Sequence, residues 1–251
     1  ISEQPDVFNH SLDLFRTPSE QVRIAASSAV GGIAVGNIQT FLPVIARGLQ
    51  GEEHSRLSAL HALREVVTHG PRHQLEHMAD HLWEPLFAST TSENENESVK
   101  NIAAACLGRL TTTCPARFLP RLQASMAREN PPGVKAAVAT AMRYVFMDNT
   151  QTYNDLLQPI LSPYFTLLRD TDINVQRLAI VSLTAAARHK SHLVRPQLPH
   201  ILPDLYAQTP VRDELVHTVV MGPWKHQIDD GLEARKAADE AMYTLVSRVS
   251  N

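Results

Sequence analysis

The chain has 251 residues, room for one large domain or two small ones, and 43% of them are apolar, an ordinary share for a globular protein with a sizeable core. Its formal net charge is -3 with histidine neutral, which leaves no basic footprint for nucleic acid, and its apolar runs are far too short to span a bilayer. Its two cysteines, Cys106 and Cys114, have neither metal nor redox spacing, so no disulfide framework is expected and the compartment reads as intracellular and reducing.

Ile1 is followed at once by the polar run SEQPD, which is not a secretory leader. The missing initiator Met, and a C-terminal YTLVSRVSN that stops inside a helical pattern, predict a fragment or a processed chain.

Two kinds of helix alternate along the chain. QVRIAASSAVGGI carries Val22, Arg23 and Ala26, and the Leu- and Pro-rich IQTFLPVIARGL follows it. HSRLSALHALREV carries Arg56 and Ala59 and precedes EHMADHLWEPLFAS. SVKNIAAACLGRL, with Val99, Lys100 and Ala103, precedes PARFLPRLQASMA. GVKAAVATAMRYV, with Val134 and Lys135, precedes NDLLQPILSPYFTLL. NVQRLAIVSLTAA, with Val175, Gln176 and Ala179, precedes RPQLPHILPDLYAQ, and EARKAADEAMYTL, with Arg235 and Ala238, ends the series. The aligned polar positions step by 33, 44, 35, 41 and 59 residues. The first four steps bracket the HEAT/armadillo period of roughly 40 residues, and the last is too long by about half a repeat.

Small residues such as Ala25, Ala26, Ala29, Gly31 and Gly32 let the second helix of a pair approach its neighbour closely. Pro43, Pro85, Pro120, Pro159, Pro199 and Pro203 fall inside the first helices, where a missing backbone donor bends the helix. A cation early in each second helix opposes the helix dipole and calls for a nearby acid. Glu20, Glu97 and Asp172 lie just upstream of three of these positions. A ladder through Arg23, Arg56, Lys100, Lys135, Gln176 and Arg235, with ion pairs between adjacent repeats, is therefore expected; the plain alternative is solvated surface charge. Each helical hairpin has an apolar face that only its neighbours can cover. The predicted fold is all-α: one HEAT/armadillo-type solenoid segment over residues 1–251, of about six hairpin repeats, with a concave and a convex face and an irregular insert over residues 210–231.

Candidate chemistry is sparse. HGPRHQLEHMADH spaces His69, His73, His77 and His81 by four and contains H-x-x-E-H as His73, Glu76 and His77, a pattern found in inverted zinc peptidases. With no cleft signature and no evident third ligand, the preferred reading is a solvent-facing stripe opposite Leu75, Met78, Leu82 and Leu86. STTSENENES, Ser89 to Ser98, reads as a polar connection with Ser98 as the N-cap of the next helix. Asp229–Asp230 before Gly231 reads as a turn and cap cluster rather than an acid–base pair. No catalytic residue, cofactor site or metal site is predicted.

At MGPWKHQIDDGLEARKAADEAMYTLV the chain closely resembles the cullin-associated and neddylation-dissociated family, also described as TBP-interacting. That family has a Gly-Pro-aromatic-Lys-His segment, then Asp-Asp-Gly-Leu, then an Arg-Lys-Ala-Ala helix. The matching residues here are Gly222, Pro223, Trp224, Lys225 and His226, then Asp229, Asp230, Gly231 and Leu232, then Arg235, Lys236, Ala237 and Ala238, with Trp224 standing where the family pattern leads us to expect Phe. AASSAVGGIAVGNIQTFLPVI, AACLGRLTTTCPARFLPRL and LRDTDINVQRLAIVSLTAAARHKSHLVR extend the likeness over nearly the whole chain.

The resemblance implies a non-catalytic regulator of cullin–RING ubiquitin ligases. Such a protein wraps an unneddylated cullin–RING complex and controls assembly or exchange of the substrate-receptor module of SCF-type ligases, in the cytoplasm and nucleus. It implies contacts with the cullin, and with other segments of the same solenoid, but not with nucleic acid or membrane. It also implies that this is the early part of the family's C-terminal third. The hairpin that competes with the adaptor is then expected beyond Asn251, and the part that surrounds the RING end before Ile1. A general helical-repeat scaffold for transport, phosphatase or transcription assembly remains an alternative, as does the zinc peptidase.

For the insert, one reading makes Trp224 a partner-binding anchor on a projecting loop or strand pair, rimmed by Lys225 and His226 and followed by Asp229 and Asp230. The other has Trp224 plug the groove between repeats, with Gly222 and Pro223 setting the turn. Large aromatics in loops usually pack inward, so the plug is the expectation.

Overall fold

The computed structural model describes residues 4–222 and 224–249. Polar caps set where several helices begin. Ser19, Asn37, Asn96 and Asp172 each accept a hydrogen bond from a backbone N–H of the first turn that would otherwise have no partner. Asn96 displaces Ser98 from the expected cap: its Oδ1 accepts from Val99 N at 2.8 Å, so the helix starts at Glu97. The polar connection is also shorter than expected, because Ser89 and Thr90 stay helical and turn their hydroxyls onto the carbonyls of Pro85 and Phe87.

The first compact unit, Ile1–Phe118, holds α1 (Gln4–Asp13), a 3-10 turn (Leu14–Arg16), α2 (Glu20–Gly36), α3 (Ile38–Gly48), α4 (Glu53–His69), α5 (Arg72–Thr91) and α6 (Glu97–Thr113). The second helices α2, α4 and α6 pack on one another in sequence order, and the first helices α3 and α5 pack on them. Not every small residue serves that packing. Ala26 is buried, and a Cβ on Gly31 would lie 2.6 Å from Glu65 Cβ and 2.8 Å from the Ala62 carbonyl, so α2 meets α4 at a distance only hydrogen allows. Ala25, Ala29 and Gly32 lie on the exposed side. Trp83 stacks on Phe118 with ring centroids 4.4 Å apart.

Helix α7 (Pro115–Ser125) runs across the unit boundary. The second unit, Leu119–Asn251, continues with α8 (Pro132–Met147), α9 (Asn154–Phe165), a 3-10 turn (Thr166–Arg169), α10 (Ile173–His189), α11 (Ser191–Val194), α12 (Leu198–Tyr206), β1 (Val216–Met221), β2 (Trp224–Asp229) and α13 (Leu232–Arg248). Here α10 packs between α8 and α13. Tyr164 lies in edge contact with Phe146 and Phe165, each 5.5 Å away, and its buried hydroxyl meets that of Ser182; burial pushes the phenol pKa up. The expected helix prolines lie inside their helices except Pro199, which occupies the first turn of α12, where its missing donor leaves no bond unmade. The architecture is the HEAT/armadillo α-solenoid type.

Both thiols are shielded, unequally. Cys106 is fully buried against the Leu60 carbonyl, and burial pushes its pKa up to about 12; Cys114 ends α6 half-buried, also with a raised pKa. Because the thiolate is the nucleophile, a thiol reagent at neutral pH is expected to label the native chain at Cys114 and to reach Cys106 only on unfolding. Rapid labelling of both would contradict this burial.

Among the described residues, ion pairs between adjacent repeats form at two of the six ladder positions, with acids in the following loop rather than those just upstream of the cation. Arg56 reaches forward to Glu95 at 2.9 Å, in the loop before α6, and Lys135 to Asp170 at 2.5 Å, in the loop before α10. Gln176 accepts from Arg212 at 3.3 Å and donates to the Asp170 carbonyl. Glu95, Asp170 and Arg212 lie about one repeat further along than Arg56, Lys135 and Gln176, while the second partner of Gln176, the Asp170 carbonyl, lies just upstream of it. Lys100 pairs within its own helix with Glu97 at 3.5 Å. Arg23 turns back onto the carbonyls of Thr17 and Pro18, Arg235 turns back onto Asp229, Asp172 is used as a cap, and Glu20 is exposed. An acid in the preceding turn competes with the backbone for its own helix start. An acid in the next loop is instead brought to the cation by the packing of successive second helices.

Candidate partner-binding hairpin

The extra half repeat is built as a strand pair. A 3-10 turn, Asp213–Leu215, leads into β1, which pairs antiparallel with β2 from Val216 opposite Asp229 to Met221 opposite Trp224. Val216, Thr218, Val219 and Val220 are β-branched, and such side chains favour a pleated strand over a helix. The chain reverses at Gly222, whose φ of 63° is a conformation that glycine adopts without strain. Pro223, expected to help set this turn, lies outside the described residues.

The base is fastened by Asp229. Its Oδ1 accepts from Gly231 N at 2.9 Å and its Oδ2 from Arg235 Nη2 at 2.7 Å. The Arg235 hydrogen bond and the Gly231 N–H hold its carboxyl below the usual aspartate range. Asp230 N donates to the Leu215 carbonyl at 3.0 Å, and its carboxylate lies 3.5 Å from His217 Nδ1. Asp229 and Asp230 therefore form the expected turn cluster. Asp229 joins the hairpin to α13, while Asp230 keeps an exposed side chain.

Beyond the base the hairpin faces solvent. Side chains alternate across a strand, so Trp224, His226 and Ile228 share one face with His217 and Val219, while Lys225 and Gln227 share the other with Thr218 and Val220. Trp224 is 70% exposed and Val220 64%. This corrects the expected plug: Trp224 does not fill a groove between repeats. Strand pairing has carried it away from the helices, and a two-stranded ribbon has no opposite layer to bury it. Of the predicted partner-binding residues, Trp224, Lys225 and His226 are exposed together in β2, Asp230 lies exposed past its end, and Asp229 is occupied structurally. Val220 and Ile228, not predicted, add exposed apolar surface; their signal was the β-branched content of HTVVM and of KHQID.

The histidine stripe is solvent-facing at His69, His73, His77 and His81, with Leu75, Leu82 and Leu86 buried and Met78 partly so. Glu76, the would-be base, is bonded to Arg72 at 3.3 Å. Among the described residues no group of three metal-ligating side chains converges, and no helix is long and apolar enough to cross a membrane.

Sequence reasoning missed the network around Lys190. This lysine is buried, donates to the Thr150 carbonyl and, at 3.2 Å, to Asn154 Oδ1, and lies 5.2 Å from the Tyr153 ring centre. Burial lowers its pKa, with Asp148 opposing. No local pattern marks such a residue, because all of its partners come from the preceding repeat.

Comparison with known proteins places these features. Residues 193–251, which include the hairpin, match the family model described as TATA-binding protein interacting. Cullin-associated NEDD8-dissociated protein 1 of Arabidopsis thaliana is 35% identical over 94% of this chain and 19% of its own length. The C-terminal part of that protein from Emericella nidulans is 34% identical over 96% of this chain and 23% of its own length. The chain thus spans about a fifth of the length of the curated relatives it matches. Among solved structures, Kap121p bound to Ste12p superposes with a TM-score of 0.55 at 15% identity, covering 99% of this chain and 27% of that one, a likeness of fold alone.

Proposed function

We propose, from the premise that the chain belongs to the cullin-associated NEDD8-dissociated family, that it is a non-catalytic segment of a regulator of cullin–RING ubiquitin ligases. In this reading the segment binds the unneddylated cullin–RING complex and contributes to assembly or exchange of the substrate-receptor module, in the cytoplasm and nucleus. The observation that carries it is the hairpin: β2 presents an exposed Trp224 beside Lys225 and His226, with a base fastened by Asp229. An exposed Trp on a fixed support suits a partner contact, since Trp is among the side chains that most often dominate binding. The names of the relatives supply the partner class. The repeat architecture suits a protein that holds a partner over an extended surface.

The test is interferometry against an unmodified and a neddylated cullin–RING complex, using this chain alone and joined to its relatives' flanking segments. Weak or no binding is expected from the chain alone. The joined form is expected to bind the unmodified complex and to lose binding on neddylation. A folded joined form that binds neither complex would overturn the reading in favour of a helical scaffold with another partner.

A further inference from the structure

We propose that the first unit carries a second partner site: a basic cleft that takes an acidic peptide segment by its side-chain carboxylates. The cleft is an open hollow of about 970 Å³ between Arg16–Pro18, at the end of the first 3-10 turn, and Gly51–Ser55, where the loop enters α4. Arg16, Arg23 and Arg47 line it, with His54 beside them and Glu52 as the one carboxylate in the wall. Asp13 lines a neighbouring hollow that Arg16 shares.

The ladder shows why this cleft stands open. Arg56 and Lys135 reach forward to an acid in the loop before the next second helix and Gln176 accepts from Arg212 about one repeat on, whereas Lys100 pairs with Glu97 of its own helix. By the rule that Arg56 and Lys135 follow, Arg23 would reach the loop before α4, where Glu52 lies. Instead, one of its nitrogens donates backward to the carbonyls of Thr17, at 2.7 Å, and Pro18, at 3.0 Å. Among the described residues the side chains of Arg16, Arg47 and Glu52 make no hydrogen bond or ion pair. Three arginines thus line one space with a single acidic residue, while the whole chain is acidic at -3. Guanidinium forks bind carboxylates in a two-point geometry. Thr17, Pro18 and Val44 give the walls apolar surface suited to a peptide. The size is that of a site for a few residues, and the acidic background argues against nucleic acid.

The test titrates this chain into a fluorescein-labelled peptide of alternating glutamate and alanine and follows anisotropy, with no cullin present, so its outcome is independent of the hairpin reading. Saturable binding that weakens with salt is expected, falling about tenfold in an Arg16→Glu/Arg47→Glu variant. Both side chains are exposed, so the variant is expected to melt like the parent chain. The proposal is overturned if the folded parent chain shows no saturable binding, or if the variant binds equally well. It is also overturned if single-stranded DNA of equal charge competes as effectively as unlabelled peptide. Thermal-melting coupling between Arg23 and Glu52 in a double-mutant cycle would mean that the rung closes in solution, and would overturn it as well.

Discussion

Asp170→Ala is expected to destabilise the Leu119–Asn251 unit by about 3–5 kcal/mol, the loss seen when one member of a buried ion pair is removed. Lys135 and Asp170 are 2.5 Å apart, and their side chains are only 5% and 9% exposed. The Asp170 carboxylate also accepts from Asp172 N at 3.0 Å, and its backbone carbonyl accepts from Gln176. Removing the carboxylate strands the Lys135 ammonium away from water and frees the loop that starts α10. The melting temperature is expected to fall by on the order of 10 °C for a domain of this size. Two comparisons isolate the cause. Arg188→Ala breaks the exposed pair with Glu240 and should change stability by less than about 1 kcal/mol. Lys135→Met combined with Asp170→Leu replaces the pair by apolar packing and should recover much of the loss. A drop for Asp170→Ala no larger than that for Arg188→Ala would show that water reaches the pair.

Trp224→Ala is expected to separate binding from folding. With 70% of its surface already in water, truncation should leave the melting temperature nearly unchanged, as surface substitutions do within about 0.5 kcal/mol. Binding of the joined form to an unmodified cullin–RING complex should weaken by about 2–4 kcal/mol, or roughly 30- to 1,000-fold. Trp224→Phe should keep most of the affinity, because the contact asks for a large flat side chain. Asp229→Ala should behave differently: it releases Arg235 and Gly231 N, so it should loosen the hairpin base and lower binding together with local hydrogen-exchange protection. Unchanged affinity in Trp224→Ala would remove the hairpin tip from the contact and leave the helical surfaces to provide it.

Local pattern determined much of this protein. The alternation of Pro-rich and Ala-rich windows, the aligned positions from Arg23 to Arg235 and the overlong last step were enough for the repeat architecture and for locating its interruption. Those features are legible because helix periodicity and small-residue faces are written within one or two turns of chain. The family likeness is densest in GPWKHQIDDGL and the helix after it, and further stretches carry it over nearly the whole chain.

Tertiary structure decided what depends on one repeat meeting the next. It chose Glu95 and Asp170 over the upstream acids as ladder partners, buried Lys190 against Asn154 and Tyr153, and left the Arg23 rung open. It also turned Trp224 outward, against the general tendency of aromatics. Burying a side chain requires a surface within reach, and whether the insert returned to the helices or paired with itself was settled by strand hydrogen bonds between Val216–Met221 and Trp224–Asp229. Composition prices the burial of a residue type, but only packing supplies the neighbour that buries it.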